Sequence, residues 1–302
     1  MASQTTGSYA NIMAPIDLKM LELELDTIGE HLIISKSNFA VYMAPTSRIP
    51  NLLLEIGRLR ESTFRLAGEG TGLSCDIDRF DAHYLNLFIW DTKNKVIVGG
   101  YRLGQGSKLF NEQGIEGFYI SSLFEIKNGA WPILRNSLEL GRSFIVPTYQ
   151  KKHFPLFLLW QGILHYLLHH PGCRYLIGPV SISKYYSQIS KSVIVAFIKK
   201  YCFDEDRAQY FNPRTAFHLH LGEIDIQSIF DKEDVGLDEL ENFLDTIEPD
   251  HLKVPVLLKQ YAKQNAKFIG FNLDPNFSGA LDGLMLLDIE HLPAGTIEML
   301  NK

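Results

Sequence analysis

Between Leu52 and Leu66 the apolar positions Leu52, Ile56, Leu59 and Leu66, with Thr63, recur at helical spacing and run into GEGTG, which predicts an amphipathic helix with a firm stop and a mobile loop after it. Two β-rich runs come next, Tyr84 to Trp90 and Lys95 to Leu103, separated by the turn residues DTKN, the pattern of an antiparallel hairpin. Phe118 to Phe124 and Leu138 to Val146 read as a third and a fourth strand, and Pro147 ends the fourth because proline cannot donate to a ladder. An apolar helix from Phe154 to Leu168 succeeds it. A buried strand (Arg174 to Val180), a helix (Ser183 to Tyr201) and an alternating strand (Thr215 to Leu221) complete this part. Past Asp231 the chain offers an acidic helix, Leu237 to Ile247, a Pro-bounded helix, Val254 to Gln264, and a hairpin-like pair around DPNFSG. An antiparallel meander feeding a β-α-β unit is a mixed α+β layer architecture, with a site expected where neighbouring strands splay.

The chain has 302 residues, of which 46% are hydrophobic and 21% charged, so its core is large enough to need no disulfide or metal staple. Nothing repeats and no stretch reads as a flexible linker, so one continuous structure is expected. The balance of 29 basic and 35 acidic residues leaves a net charge of −6, which gives no global field for nucleic acid. Cys75, Cys173 and Cys202 are odd in number and lack metal spacing, which fits a reducing cytoplasm. The N-terminus has no signal-peptide pattern. The run Phe154 to Leu168 is too short to span a bilayer and holds Gln161 and His165.

Charged residues sit inside or beside the apolar elements: Arg60 on the first helix, Asp78 and Asp81 in the connection, Arg102, Glu139 and Arg142 on strands. Burying them requires partners, so they form either a structural ion-pair network or a polar active site. On an alternating strand Glu139, Gly141, Ser143 and Ile145 share one face and Arg142 takes the other. A bulge at Gly141 would re-aim the side chains after it and leave a backbone N–H able to bind the oxygen of a thioester carbonyl. Lys151, Lys152 and His153 stand at the start of the next helix, where the dipole favours anions; their bland reading is a solvated basic turn. Lys184, Lys191, Lys199 and Lys200 make a second cationic stripe. The pairs His165 with His169 and His218 with His220 lack a third ligand, so no metal is expected. No Gly-x-Ser-x-Gly elbow or Walker loop occurs. Tyr185 and Tyr186 suit core or groove packing.

LRESTF (Leu59 to Phe64), DIDRFDAHYLNLFIWD (Asp76 to Asp91), VGGYRLG (Val98 to Gly104), ELGRSFIVPTYQ (Glu139 to Gln150) and LLWQGI (Leu158 to Ile163), with VPVLLKQYAK and LDGLMLLDI in the tail, together resemble the acyl-ACP-dependent N-acyltransferases of the ornithine-lipid synthase type, a family also filed under the label hemolysin. The resemblance runs in order from Leu52 to Ile289. More distantly, Arg60 and Phe64, Asp78 and Asp81, Arg102, and Glu139 with Arg142 are similar to a motif set of the acyl-homoserine-lactone synthases.

The resemblance implies a Gcn5-related acetyltransferase (GNAT)-like fold, a mixed and mostly antiparallel sheet flanked by helices. It divides the chain into an N-terminal segment (1–48), an acyltransferase core (49–225) and a C-terminal extension packed on that core (226–302). It further implies catalytic roles for Glu139, Arg142 and Ser143, with Glu139 or a water it holds as the base, and acceptor binding by Arg60, Phe64, Asp78, Asp81 and Arg102. Phe144, Ile145, Val146, Lys151 and Lys152 would then meet the phosphopantetheine of an acyl carrier protein. The usual pyrophosphate loop of acetyl-CoA enzymes is replaced by VPTYQKKHFP, which favours acyl-ACP over acyl-CoA as co-substrate and implies no bound cofactor. Gln150 stands where the family carries an arginine.

Phe118, Leu123, Phe124, Phe157 and Trp160 are candidates for an apolar acyl tunnel, or plain core. The expected reaction moves a long, optionally 3-hydroxylated, acyl chain to the α-amine of an ornithine- or glycine-type amino acid, giving a lyso-aminolipid. A cytoplasmic protein with weak peripheral membrane contact, through the helix Phe154 to Leu168 among others, would suit that product. Two alternatives stay open: a signal-type acyl-homoserine-lactone synthase, with an aromatic cage near Trp90 or Tyr84, and a non-catalytic acyl-carrier or lipid-binding module.

Overall fold

The computed structural model describes residues 9–230, 236–248 and 252–300. From the N-terminus run α1 (Leu18–Thr27), β1 (Leu32–Lys36), β2 (Phe39–Pro45), α2 (Pro50–Ala67), β3 (Leu85–Asp91) and β4 (Val96–Gln105). Then come α3 (Gly106–Gln113), β5 (Phe124–Ile126), α4 (Trp131–Arg135), β6 (Ser137–Ile145), α5 (His153–His169), β7 (Tyr175–Ile182) and α6 (Gln188–Tyr201). The remainder is α7 (Glu205–Ala208), β8 (Phe211–Pro213), α8 (Ile226–Ile229), α9 (Leu237–Ile247), α10 (Val256–Ala262), β9 (Lys267–Asp274), β10 (Ala280–Asp288) and α11 (Ala294–Leu300).

These elements form two compact units, one of residues up to 103 with 142–169, the other of 104–141 with residues from 170 onward. In the first, β1, β2, β3 and β4 make an antiparallel meander. The end of β6 joins this unit, where the Val146 N–H donates to the Val98 carbonyl at 2.9 Å. A Cβ on Gly99 would stand 2.4 Å from the Phe144 carbonyl oxygen, so only glycine allows the two backbones to approach so closely. α5 lies across β2 and β3 with Leu158, Leu159 and Ile163 fully buried, and a Cβ on its Gly162 already falls within 2.5 Å of Leu87. Among the described residues no helix is long and apolar enough to cross a membrane.

α2 begins at Pro50, whose missing N–H costs nothing in a first turn, and the Glu24 carboxylate from α1 accepts from the Asn51 and Leu52 N–H groups at 3.0 and 2.6 Å. Its stop is Gly68 at φ +76°, as GEGTG implied. The loop after it is tied down: the buried Glu61 carboxylate accepts from the Thr71 hydroxyl (2.6 Å) and from the N–H groups of Thr71 (3.0 Å) and Gly72 (2.9 Å).

In the second unit β6 and β7 are parallel over Ser137 to Glu139 only, while β7 with β10 and β10 with β9 are antiparallel. Two expected strands are absent. Tyr119–Ser122 is a 3-10 turn with i→i+3 bonds such as Ser121 N–H to Phe118 carbonyl (3.1 Å), and only Phe124–Ile126 is extended. Residues 215–221 form no strand beyond an isolated bridge from Ala216 to Asn272. The tail pair around DPNFSG is the β9–β10 hairpin, and β10 is the strand that lies against β7. Helix α6 starts at Gln188, capped by Ser187, five residues later than its pattern suggested.

Candidate active site

Three arginines and three aspartates of the first unit form a closed, alternating ring of ion pairs. Arg60 of α2 meets Asp81 (3.0 Å), Asp81 meets Arg102 of β4 (3.1 Å), and Arg102 meets Asp78 (2.6 Å). Asp78 meets Arg142 of β6 (3.2 Å), Arg142 meets Asp76 (3.0 Å), and Asp76 closes the ring on Arg60 (3.3 Å). Each charge has two opposite neighbours, so the ring is neutral, which is the condition for keeping six charges out of water. Asp76 and Asp81 are fully buried; Asp78, at 26% exposure, is the aspartate open to solvent.

The connection from Asp76 to Asp81 folds back on itself to present these carboxylates: the Asp81 carboxylate accepts from the Asp78 N–H at 2.8 Å and that of Asp78 from the Phe80 N–H at 2.9 Å. Arg60 also donates to the Asp76 carbonyl. Burial disfavours the charge on Asp81, but Arg60 and Arg102 outweigh it and hold the carboxyl well below the usual carboxylate range. For Arg102 burial again works against the charge, and the adjacent Asp81 more than compensates. The guanidinium of Arg102 lies against the rings of Tyr84 (5.2 Å) and Phe80 (5.7 Å), so the Tyr84 face suggested for an aromatic cage already carries a cation. Phe64, one turn beyond Arg60 on α2, is buried.

Arg142 takes a left-handed backbone conformation, φ +52°. The irregularity expected at Gly141 therefore falls one residue later, on an arginine, where positive φ is uncommon and costs about 1–3 kcal/mol. It is this turn of the backbone that delivers the guanidinium to Asp76 and Asp78. Ser143 and Ile145 are half-buried, and Phe144 and Val146 are buried; the Val146 N–H is spent on Val98.

Glu139 sits in the second unit, on the stretch of β6 that pairs with β7. Its Oε2 accepts from the Tyr119 N–H (3.1 Å) and its Oε1 from the Ile120 N–H (2.9 Å), and the Tyr119 hydroxyl donates to Asp274 Oδ2 at the end of β9 (2.8 Å). Those bonds explain why 118–124 is not a strand: its amide groups turn inward to a carboxylate. They also fix the plane of the Glu139 carboxylate.

Lys151 and Lys152 are exposed ahead of α5, with the Lys152 ammonium 4.7 Å from the Tyr149 ring and the Tyr149 hydroxyl donating to Asp91 (2.8 Å). The His153 side chain lies outside the described residues. Gln150 donates from Nε2 to the Ile145 carbonyl, 2.8 Å, and so serves the backbone at the end of β6. Phe118, Leu123 and Phe124 are buried in the second unit, whereas Phe157 and Trp160 belong to α5 of the first. Burial pushes the Cys75 thiol up to about 11 and the Cys173 thiol up to about 12, so neither is a ready nucleophile. Sequence reasoning missed Asp76 as a ring member, although the spacing Asp-x-Asp-x-x-Asp supplied the signal, and it missed the Asp274–Tyr119 support, which had none.

The model of the acetyltransferase (GNAT) domain matches residues 59–161, a span that contains all six ring residues and Glu139. The glycine N(alpha)-acyltransferase of Bacteroides thetaiotaomicron is 32% identical over 233 residues, covering 74% of this chain and 68% of that protein. The chain is an N-acyltransferase of the GNAT superfold. The same relative in Phocaeicola vulgatus is 32% identical over 207 residues, 65% of the acyltransferase and 64% of that protein. Among solved structures, a CoA-dependent acyl-homoserine lactone synthase, BjaI, covers 84% of the acyltransferase and 82% of its own chain at 13% identity, with a TM-score of 0.40. The AHL synthase LasI covers 55% and 80% at 15% identity, with a TM-score of 0.36.

Proposed function

We propose that the enzyme transfers a long, optionally 3-hydroxylated, acyl chain from the phosphopantetheine thioester of acyl-ACP to the α-amine of glycine. The observation that carries this reading is the 32% identity, over 74% of the chain, to a glycine N(alpha)-acyltransferase. Glycine is thereby favoured over ornithine as acceptor.

An ammonium has no lone pair, so the acceptor must lose a proton before it attacks. We assign that proton to Glu139, whose carboxylate is oriented by two backbone N–H groups. The neutral nitrogen then adds to the thioester carbonyl, the carbon–sulfur bond breaks, the nitrogen's second proton passes to the departing sulfur, and an amide and a free thiol remain. Acceptor binding is assigned to Asp78, Asp81, Arg60, Arg102 and Phe64, with Asp78 as the carboxylate open to an incoming ammonium. Arg142 and Ser143 serve the reacting strand. Phe144, Ile145, Val146, Lys151 and Lys152 receive the pantetheine arm and its acidic carrier, for which exposed lysines at a helix start supply complementary charge. Acyl-CoA serves as a weaker donor.

Comparison of kcat/KM for glycine and ornithine with one long-chain acyl-ACP tests the assignment. Glycine is expected to lead by tenfold or more, a discrimination on the order of one steric clash or lost contact. Equal use of both, or release of a lactone from a sulfonium substrate, would overturn it.

A further inference from the structure

Three segments of the second unit converge at the N-terminal end of α6. Gln188 donates from Nε2 to the His218 carbonyl (3.3 Å), and the His220 N–H donates to the Ser192 hydroxyl (2.8 Å), which lays residues 218–220 along the helix. On the other side the Tyr186 hydroxyl donates to the Lys253 carbonyl, which brings in the start of α10.

Each segment leaves a large apolar side chain in solvent: Tyr185 (53% exposed) just before α6 and Ile189 (45%) in its first turn, Leu219 (42%) between the two histidines, and Val256 (70%) at the head of α10. Exposed leucines and valines are ordinary when scattered, but four gathered by hydrogen bonds from three segments mark an interaction surface. Lys184 and Lys253 flank them and are exposed, and Glu248 is turned inward to accept from the Ser187 hydroxyl at 3.1 Å. Apolar side chains bordered by lysines, at the positive end of a helix, complement a surface that is apolar beneath and anionic on top.

We propose that this end of α6 is a peripheral membrane contact, in which Tyr185, Ile189, Leu219 and Val256 enter the headgroup region of an anionic bilayer while Lys184 and Lys253 pair with its phosphates. Its purpose rests on the proposed function, since an enzyme making an amphiphilic amide must hand its product to a membrane; the binding itself does not.

Flotation of the full-length protein with vesicles of equal parts phosphatidylglycerol and phosphatidylcholine, against pure phosphatidylcholine, tests it. Wild type is expected to float with the anionic vesicles and to be released by high salt. Combining Lys184→Glu with Lys253→Glu should lower affinity for the anionic vesicles at least about thirtyfold and leave the weak binding to neutral lipid unchanged. Tyr185→Ser with Ile189→Ser should abolish flotation, with the melting temperature and the turnover of a water-soluble short-chain donor retained. Wild type that does not float, or surface variants that float as well as wild type, would overturn the proposal. So would concentration-dependent dimerisation abolished by Tyr185→Ser with Ile189→Ser, because a second copy would then own this face. Failure to acylate glycine would sink the proposed function and leave the flotation result standing.

Discussion

Arg142 meets Asp76 at 3.0 Å from a backbone turned to φ +52°, so the close of the ion ring depends on one strained residue in β6. Asp76 serves both Arg60 and Arg142, and both partners are buried or nearly so. Asp76→Asn leaves two guanidiniums short of an anion and is expected to destabilise the protein by about 3–5 kcal/mol in urea unfolding. Asp78→Asn, at the open side of the ring, is expected to cost less than half of that while raising KM for the amino acid. A loss of stability equal to that of the Asp76 variant would assign Asp78 to structure alone.

The ring also sets the acid limit of the fold. The Asp81 carboxyl is held below its unfolded value, near 3.9, by Arg60 and Arg102 against the opposing effect of burial. Its contribution is therefore complete above about pH 4 and lost as the pH falls through the lower folded value. Chemical denaturation at a series of pH values should show stability level near neutrality and falling below about pH 4, with a shallower fall in Asp81→Asn.

Glu139→Gln keeps the size of the side chain but removes the base. Turnover is expected to drop about 10²- to 10⁴-fold. Because the amide offers one acceptor where two backbone N–H groups need partners, a stability cost of about 1–3 kcal/mol accompanies it. Turnover within threefold of wild type would make Glu139 a structural anchor for the Tyr119 turn.

Raised thiol values predict that no acyl-cysteine forms. Burial pushes Cys75 up to about 11 and Cys173 up to about 12, and it also raises Cys202. Replacing all three by alanine should leave kcat within about twofold and the enzyme insensitive to thiol alkylation at neutral pH. A covalent acyl-protein trapped by acid quench would contradict direct transfer.

Helix α2, the β3–β4 hairpin, β6 and α5 can be read within a few residues from local signals: apolar spacing, the DTKN turn, Pro147 and the glycine stop. Phe118 to Phe124 cannot, because its apolar run suits a strand equally well and the decision is made by Glu139 from nineteen or more positions away. Thr215 to Leu221 alternates, yet the Thr215 N–H donates to the Asn272 side chain (2.7 Å), the Thr215 carbonyl accepts from the Leu273 N–H (2.9 Å), and the His220 N–H turns to the Ser192 hydroxyl (2.8 Å). Five of the six ring residues stand out in the sequence because a charge inside or beside an apolar element needs a partner. The sixth, Asp76, is signalled only by the spacing Asp-x-Asp-x-x-Asp, and Glu139 reads equally well as the third anion; which carboxylate a strand arginine reaches depends on its φ, and Arg142 alone does not announce a left-handed turn.

Acyl transfer to glycine is tested most directly by mass spectrometry of the purified enzyme with ¹⁵N-glycine and a long-chain 3-hydroxyacyl-ACP, with acyl-CoA and acetyl-CoA as parallel donors. The expected result is a long-chain N-acylglycine carrying the label, formed fastest from the carrier protein. Labelled N-acetylglycine from acetyl-CoA alone, or no labelled amide from any donor, would contradict it.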